Sequence, residues 1–270
     1  MLGAIAWALA ATGSAPQEEV APPSTTGPPP KPVLRIIFPE GFTRADMAAR
    51  IAAVNEIARK KRKLKTKLSP RRYLRITQRA RPPRGFPVKK APHLEGFLFP
   101  ATYEFHPDTT TRQLVDKQLE AFMRAWDQLD LRYAKTKKLT AYDVVIIASM
   151  VEKEVQVPKE RPLVAAVIYN RLHAGMALQI DATIRYGLHI PPTEPIHQSE
   201  LESDSPYNTR KFVGLPPTPI ANPGLASLQA AAHPAKVDYL YFVRKADCKS
   251  HFFTANEQKF LNYSRAGLNC

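Results

Sequence analysis

The sequence predicts a mixed fold, helical through its middle with strands towards its two ends, on three observations. Residues 140–157 (TAYDVVIIASMVEKEVQV) and 161–175 (RPLVAAVIYNRLHAG) are two strongly apolar runs of helical length. VLRIIFPEGFTRADMAARIAAV reads as a strand, a turn and a helix. Near the other end, residues 238–244 and 251–254 read as strands on either side of a loop around Cys248, followed by a closing helix.

The chain has 270 residues, 44% of them apolar and 23% charged, enough for a real core in one or two domains. Residues 1–15 (MLGAIAWALAATGSA) are apolar but fall short of the roughly 20 residues that a membrane-spanning helix needs. They lack a basic start, and suit an uncharged signal segment or part of an anchor. Residues 16–32 are rich in Pro, Ser and Thr without apolar periodicity, which predicts an extended linker. A small α/β unit follows over 33–58, with a strand at Val33 to Phe38 and a helix capped by Thr43, where Asp46 completes a capping box. Ala45, Ala48, Ala49, Ala52 and Ala53 give that helix a small-residue face.

Residues 59–90 carry 15 Lys and Arg and no Asp or Glu, so the net charge of +15 comes from this tract alone. It suits an anionic lipid or wall polymer. Its two aromatics, Tyr73 and Phe86, are too few for a base-stacking platform, and no specific nucleic acid is expected. A solvated, partly helical surface segment without a partner explains the composition equally well.

Residues 91–270 hold the rest. Leu94 to Phe105 (LEGFLFPATYEF) is dense in aromatics and should run against the core, with Glu95 as its only early charge. Thr111 opens a helix through Trp126, and Thr140 with Asp143 forms the capping box of the first apolar helix, whose end Pro158 marks. Leu163, Val167 and Leu172 are core-spaced in the second, which Gly175 can terminate. MALQIDATIRYGL and SPYNTRKFVGLPPTPIANPG then read as ordered loops, placing Gln179, Asp181, Thr183, Tyr207, Asn208 and Thr209 where a sugar- or peptide-binding cleft would be lined. Turn capping accounts for any one of these polar residues as well. Cys248 and Cys270 show no metal spacing, and His233 and His251 stand apart from any cluster of metal ligands.

The candidate chemistry lies in VEKE. At roughly 100° per residue, Glu154 falls on the arc of Val144, Ile147, Met150, Val151 and Val155, whereas Glu152 lies about 200° away from it. An apolar surround raises a carboxylate's pKa, as a general acid near neutral pH requires. The competing reading is a helix-end acid paired with Lys153, Lys159 or Arg161.

Taken together, FPEGFT, LEGFLFPATY, ASMVEKEV, VIYNRLHAGMALQIDATIRYG, SPYNTRKFVGLPPTPIANPG, AAAHPAKVDYLYFV and HFFTANEQ resemble, in order, the MltG/YceG-like endolytic murein transglycosylases. The resemblance implies an α+β fold, with a YceG-like catalytic domain behind a small LysM-like N-terminal subdomain. It implies a bacterial enzyme held at the cell membrane with its catalytic domain extracytoplasmic. The implied substrate is the glycan strand of peptidoglycan, with cell-wall synthases as partners and neither metal nor organic cofactor. Glu154 is the implied catalytic acid, and Gln179, Asp181, Thr183, Tyr207, Asn208 and Thr209, with Glu95 and Glu152, are the implied substrate-side residues. The chain departs from the family's usual residues at Ala101, Arg210, Thr218 and Gln258. A catalytically silent wall-binding protein and a polyanion-binding protein are the alternative readings.

Overall fold

Strand β1 (Leu34–Ile37) alternates buried and exposed residues, with Leu34 and Ile36 inward and Arg35 and Ile37 outward. That period of two fixes which face meets the core. The computed structural model describes residues 31–86 and 92–265. The apolar segment 1–15, nearly all of the linker, Lys89, Lys90 and Cys270 lie outside them.

The partner of β1 is β2 (Thr102–Phe105), antiparallel, with Leu34 opposite Phe105 and Ile36 opposite Tyr103. Two helices lie between these strands in the chain. Helix α1 (Arg44–Arg62) starts at the Thr43 and Asp46 capping box, and its 19 residues run on into the basic tract. Met47, Ala48, Ile51 and Ala58 form its packed face, while Ala45, Ala49, Ala52 and Ala53 are exposed. The alanine face is therefore mostly solvent-facing, where good helix formers serve propensity rather than packing. Helix α2 (Pro70–Arg79) is capped by Ser69 with Pro70 in its first turn. Its Tyr73 is wholly buried and donates to Gln118 Oε1 at 2.8 Å. Leu68, Thr77 and Phe86 are buried too. The basic tract thus contributes Leu68, Tyr73 and Phe86 to the common core and turns its described cations outward.

Helix α3 (Thr111–Trp126) supplies Leu114, Val115 and Phe122 to that core, and the short helix α4 (Arg132–Thr136) leads on to α5 (Ala141–Glu154). Every residue of α5 from Val144 to Val151 is buried, as expected of a helix apolar on all sides. It ends earlier than Pro158 suggests: Glu154 is the last helical residue and Val155 is already extended. A 3₁₀ turn (Pro158–Glu160) joins it to α6 (Arg161–His173), whose buried face is Val164 to Tyr169 with Arg171, leaving Leu163 and Leu172 at the margin. The stretch expected to be loop after Gly175 contains helix α7 (Asp181–Leu188), with a single turn α8 (Gln198–Leu201) beyond it. Helix α9 (Leu225–Ala232) packs along α5 and α6. Strands β3 (Tyr241–Arg244) and β4 (His251–Thr254) form an antiparallel hairpin against helix α10 (Glu257–Arg265). A buried pair, His251 Nδ1 and Glu160 Oε2 at 2.8 Å, fastens the hairpin to the start of α6. Among the described residues no helix is long and apolar enough to cross a membrane.

Candidate active site at the end of helix α5

Glu154 closes the last turn of the buried helix, so its carboxylate meets the negative end of the α5 dipole as well as an apolar surround. Both disfavour charge. Burial, followed by the nearby negative charge of Asp181, pushes its pKa up to about 7, against the pull of Arg244, the Ala182 N–H and Arg210. Among the described residues it forms no ion pair, and Arg161, one of its candidate partners, turns to Glu152 instead.

Three segments converge on this acid: the start of α7, the loop bearing Arg210, and the end of β3 at Arg244. The first is pinned by tertiary bonds, since α7 lacks a side-chain cap. Thr209 accepts from Ile180 N–H through Oγ1 at 3.0 Å, and its hydroxyl lies 3.0 Å from that of Thr183. The Gln179 N–H donates to Thr209 O at 2.9 Å, while Gln179 itself sits in the left-handed region at φ 54° with its side chain exposed. From the other side, buried Arg171 donates to Ala177 O, Leu178 O and Gln179 Oε1 at 3.0, 2.9 and 3.2 Å, and to Leu240 O at 2.6 Å. One guanidinium fork thus ties the segment before α7 to the lead-in of β3. Beside the acid, half-exposed Asp181 pairs with Arg210, Nε to Oδ1, at 2.7 Å.

Glu152 faces another place. It accepts from Gly224 N–H at 3.0 Å and lies 3.7 Å from Arg161 Nη2, with Glu40 across the same arginine. Glu40 is pushed up by burial and by Glu152. The side chain of Glu152 is only 6% exposed, so burial does not separate the two acids of VEKE. Partnership does: Glu152 has a cation and the N–H at the start of α9, whereas Glu154 has a backbone N–H and a second acid.

A second buried acid lies behind α7. Glu95 accepts from Arg44 N–H at 2.9 Å, Asn222 Nδ2 at 2.7 Å and Tyr186 Oη at 3.1 Å. Burial nevertheless pushes it up to about 7. Asn222 also accepts from Gly96 N–H and Leu98 N–H and donates to Phe42 O, joining three loops. Tyr186 packs edge-on against Tyr207 at 5.3 Å, whose hydroxyl meets that of Thr218 at 2.7 Å.

The residues matched by the YceG-like family are 17–266, which is most of the chain. The chain belongs to the YceG-like family. Its relatives include the endolytic murein transglycosylase of Bacillus subtilis, 41% identical over 160 residues, or 57% of this chain and 42% of that protein. That of Streptococcus pneumoniae is 38% identical over 172 residues, 61% of this chain and 30% of the relative. This YceG-like chain therefore matches less than half the length of either. The crystal structure of a YceG-like protein of Listeria monocytogenes superposes with a TM-score of 0.69 at 30% identity, covering 84% of this chain and 75% of the other. The α+β fold is that of the family.

Within this YceG-like fold, Glu154, Asp181 and the Gln179 segment come together, and Arg171, Arg210 and Arg244 join them. The three arginines were not singled out as site residues in the sequence. Arg171 had a signal, a charge among the core-spaced residues of α6. Thr183, Asn208 and Thr209 are buried and their polar groups hold the loop: Asn208 Nδ2 donates to Leu201 O and Ser203 O, both at 2.9 Å. Glu95 and Tyr207 stand behind α7, and Glu152 lies towards Gly224 and Arg161.

Proposed function

We propose that this protein is an endolytic peptidoglycan lytic transglycosylase held at the bacterial cell membrane with its catalytic domain outside, and that Glu154 is its acid and then its base. The observation that carries the reading is a carboxylate that forms no ion pair among the described residues, its pKa pushed up to about 7 at the end of a rigid buried helix, with the half-exposed Asp181 and Arg210 beside it. Kinship with two endolytic murein transglycosylases supports the substrate.

A hydrolytic glycosidase needs a second carboxylate, about 5–10 Å from the first, to activate water or attack carbon. A lytic transglycosylase takes its nucleophile from the substrate. Protonated Glu154 gives its proton to the oxygen between N-acetylmuramic acid and N-acetylglucosamine, and the bond from the anomeric carbon breaks with its electron pair going to that oxygen. The C6 hydroxyl of the muramic acid residue then attacks the anomeric carbon and loses its proton to the Glu154 carboxylate. A 1,6-anhydro ring closes, no water is consumed, and the acid returns to its starting state. Asp181 keeps the proton on Glu154 before the first step, and Arg210 and Arg244 stabilise the carboxylate between the two.

Nascent, uncrosslinked glycan digested with wild type, Glu154→Gln and Glu152→Gln tests this directly by mass spectrometry of the product ends. Anhydro-muramyl ends from wild type and Glu152→Gln, with a loss of at least roughly 10²-fold in Glu154→Gln, are expected. Reducing ends would mean hydrolysis, and an active Glu154→Gln would remove the assignment. Glycan pulled down by a chain that never cleaves it would favour a silent wall-binding protein.

A further inference from the structure

The glycan chemistry leaves the basic tract unused. Its 13 described cations, from Arg59 to Arg84, are all exposed, and no acid interrupts them. Lys60 pairs with Glu56, and the other twelve form no ion pair among the described residues. So uniform a face repels itself and is stable only because water and counterions screen it.

Apolar surface lies beside this charge. Val33, Ile37 and Ile57 are 47%, 55% and 54% exposed. Ile57 precedes Lys60 and Lys61 by three and four residues on α1, so they share its face. An open groove of about 410 Å³ has Val33, Val54, Ile57 and Ala58 along its floor and Arg35 and Arg62 at its edge. Arg62 Nη1 donates to Val33 O at 3.3 Å, which holds that edge to the start of β1.

We infer that this face, the cations of α1 and α2 together with the apolar groove at the end of α1, docks on an anionic lipid surface. Cations beside exposed aliphatic side chains suit a bilayer, where headgroup phosphates meet the charges and the aliphatic groups enter the boundary beneath them. A nucleic acid would need stacking aromatics, but Tyr73 and Phe86 are buried in the core. A soluble wall polymer would use the cations and leave the apolar groove wet.

The full chain, its residues 1–15 present in every variant, is sedimented with vesicles of phosphatidylglycerol and phosphatidylcholine in equal parts, and with phosphatidylcholine alone. Wild type should bind the anionic vesicles at least roughly tenfold more tightly, since each cation near such a surface is worth about fivefold. Arg59→Gln/Lys61→Gln/Lys63→Gln should weaken binding to the anionic vesicles at least roughly fivefold. Val33→Ser/Ile37→Ser/Ile57→Ser, which changes no charge, should weaken vesicle binding several-fold while leaving binding to duplex DNA or a glycerol-phosphate polymer unchanged. Equal affinity for the two vesicles would overturn the inference. So would vesicle binding untouched by the serine variant, which would assign the face to a soluble polyanion.

Discussion

Glu154 and Glu152 are two residues apart on one helix and both are largely enclosed, yet their surroundings set opposite uses. Glu152 already has the partners that a carboxylate needs, the Gly224 N–H and Arg161. Removing its charge leaves a side chain that can still accept from Gly224, so Glu152→Gln should cost about 1 kcal/mol of stability and little activity, as thermal melts and product assays would show. Glu154 must be protonated to begin the reaction, so kcat/KM should fall as pH rises through about 7. Asp181 is the neighbouring charge that raises this value and Arg210 one that lowers it, so Asp181→Asn should move the alkaline limb to lower pH. A limb that stays in place would show that Asp181 does not act on the acid. The helical wheel set the two acids on different arcs, but its premise that only one face of α5 is buried was not met, so burial does not choose between them. The arginines around Glu154 were illegible because Arg210 and Arg244 reach it from segments 56 and 90 residues away, distances over which no pattern in one sequence speaks.

The long helices were readable from a visible cap or a long apolar run, and the short α7, held by tertiary bonds, was not. Helices α1, α3 and α5 each begin at a reciprocal capping box, and the Thr43 and Thr140 boxes were visible as residue pairs. Helix α7 has eight residues and no side-chain cap, too short to stand without Thr209 and Arg171 holding its entry. The pairing of β1 with β2 was likewise hidden, because it closes over the whole basic tract. Two glycines show how tightly these elements are joined. Gly96 sits at φ 89°, and a Cβ there would meet Pro219 Cγ at 2.6 Å and Val145 Cγ1 at 2.8 Å. Gly96→Ala combines backbone strain with overpacking against α5, and should cost roughly 3 kcal/mol, a fall in Tm on the order of 10 °C. Gly187 on α7 has no room either, since an added Cβ would come 2.5 Å from Tyr207 Cβ. Gly187→Ala should push the 205–210 loop away and separate Arg210 from Asp181. A loss of about 1–3 kcal/mol together with reduced turnover would follow; unchanged turnover would mean that the loop's position does not matter to the chemistry.

For the whole molecule, the same buried acids couple stability to pH. Glu95 and Glu154 both have folded values of about 7 against 4.5 when exposed, so between these pH values the folded chain keeps two protons that the unfolded chain has lost. Their contribution to stability is full below pH 4.5 and is lost as pH rises through about 7, up to ~3 kcal/mol for each acid. His93 acts in the opposite sense. Burial pushes it down to about 4 from 6.5, so its contribution is full above pH 6.5 and is lost as pH falls through about 4. Between roughly pH 4.5 and 6.5 one acid offsets the histidine and the other remains, and between 6.5 and 7 both acids act unopposed. At about 1.4 kcal/mol per proton per pH unit, these groups make the fold more stable in mild acid than at pH 8, with the steepest change just below neutrality. Glu154→Gln isolates one share of this, because a neutral amide in the same shape can still accept from the Ala182 N–H. Its melting temperature should match wild type near pH 4 and exceed it by several degrees at pH 8, the gain growing between about pH 4.5 and 7. A variant no more stable than wild type at pH 8 would mean that Glu154 ionises without cost, and that its proton is not held ready for a substrate.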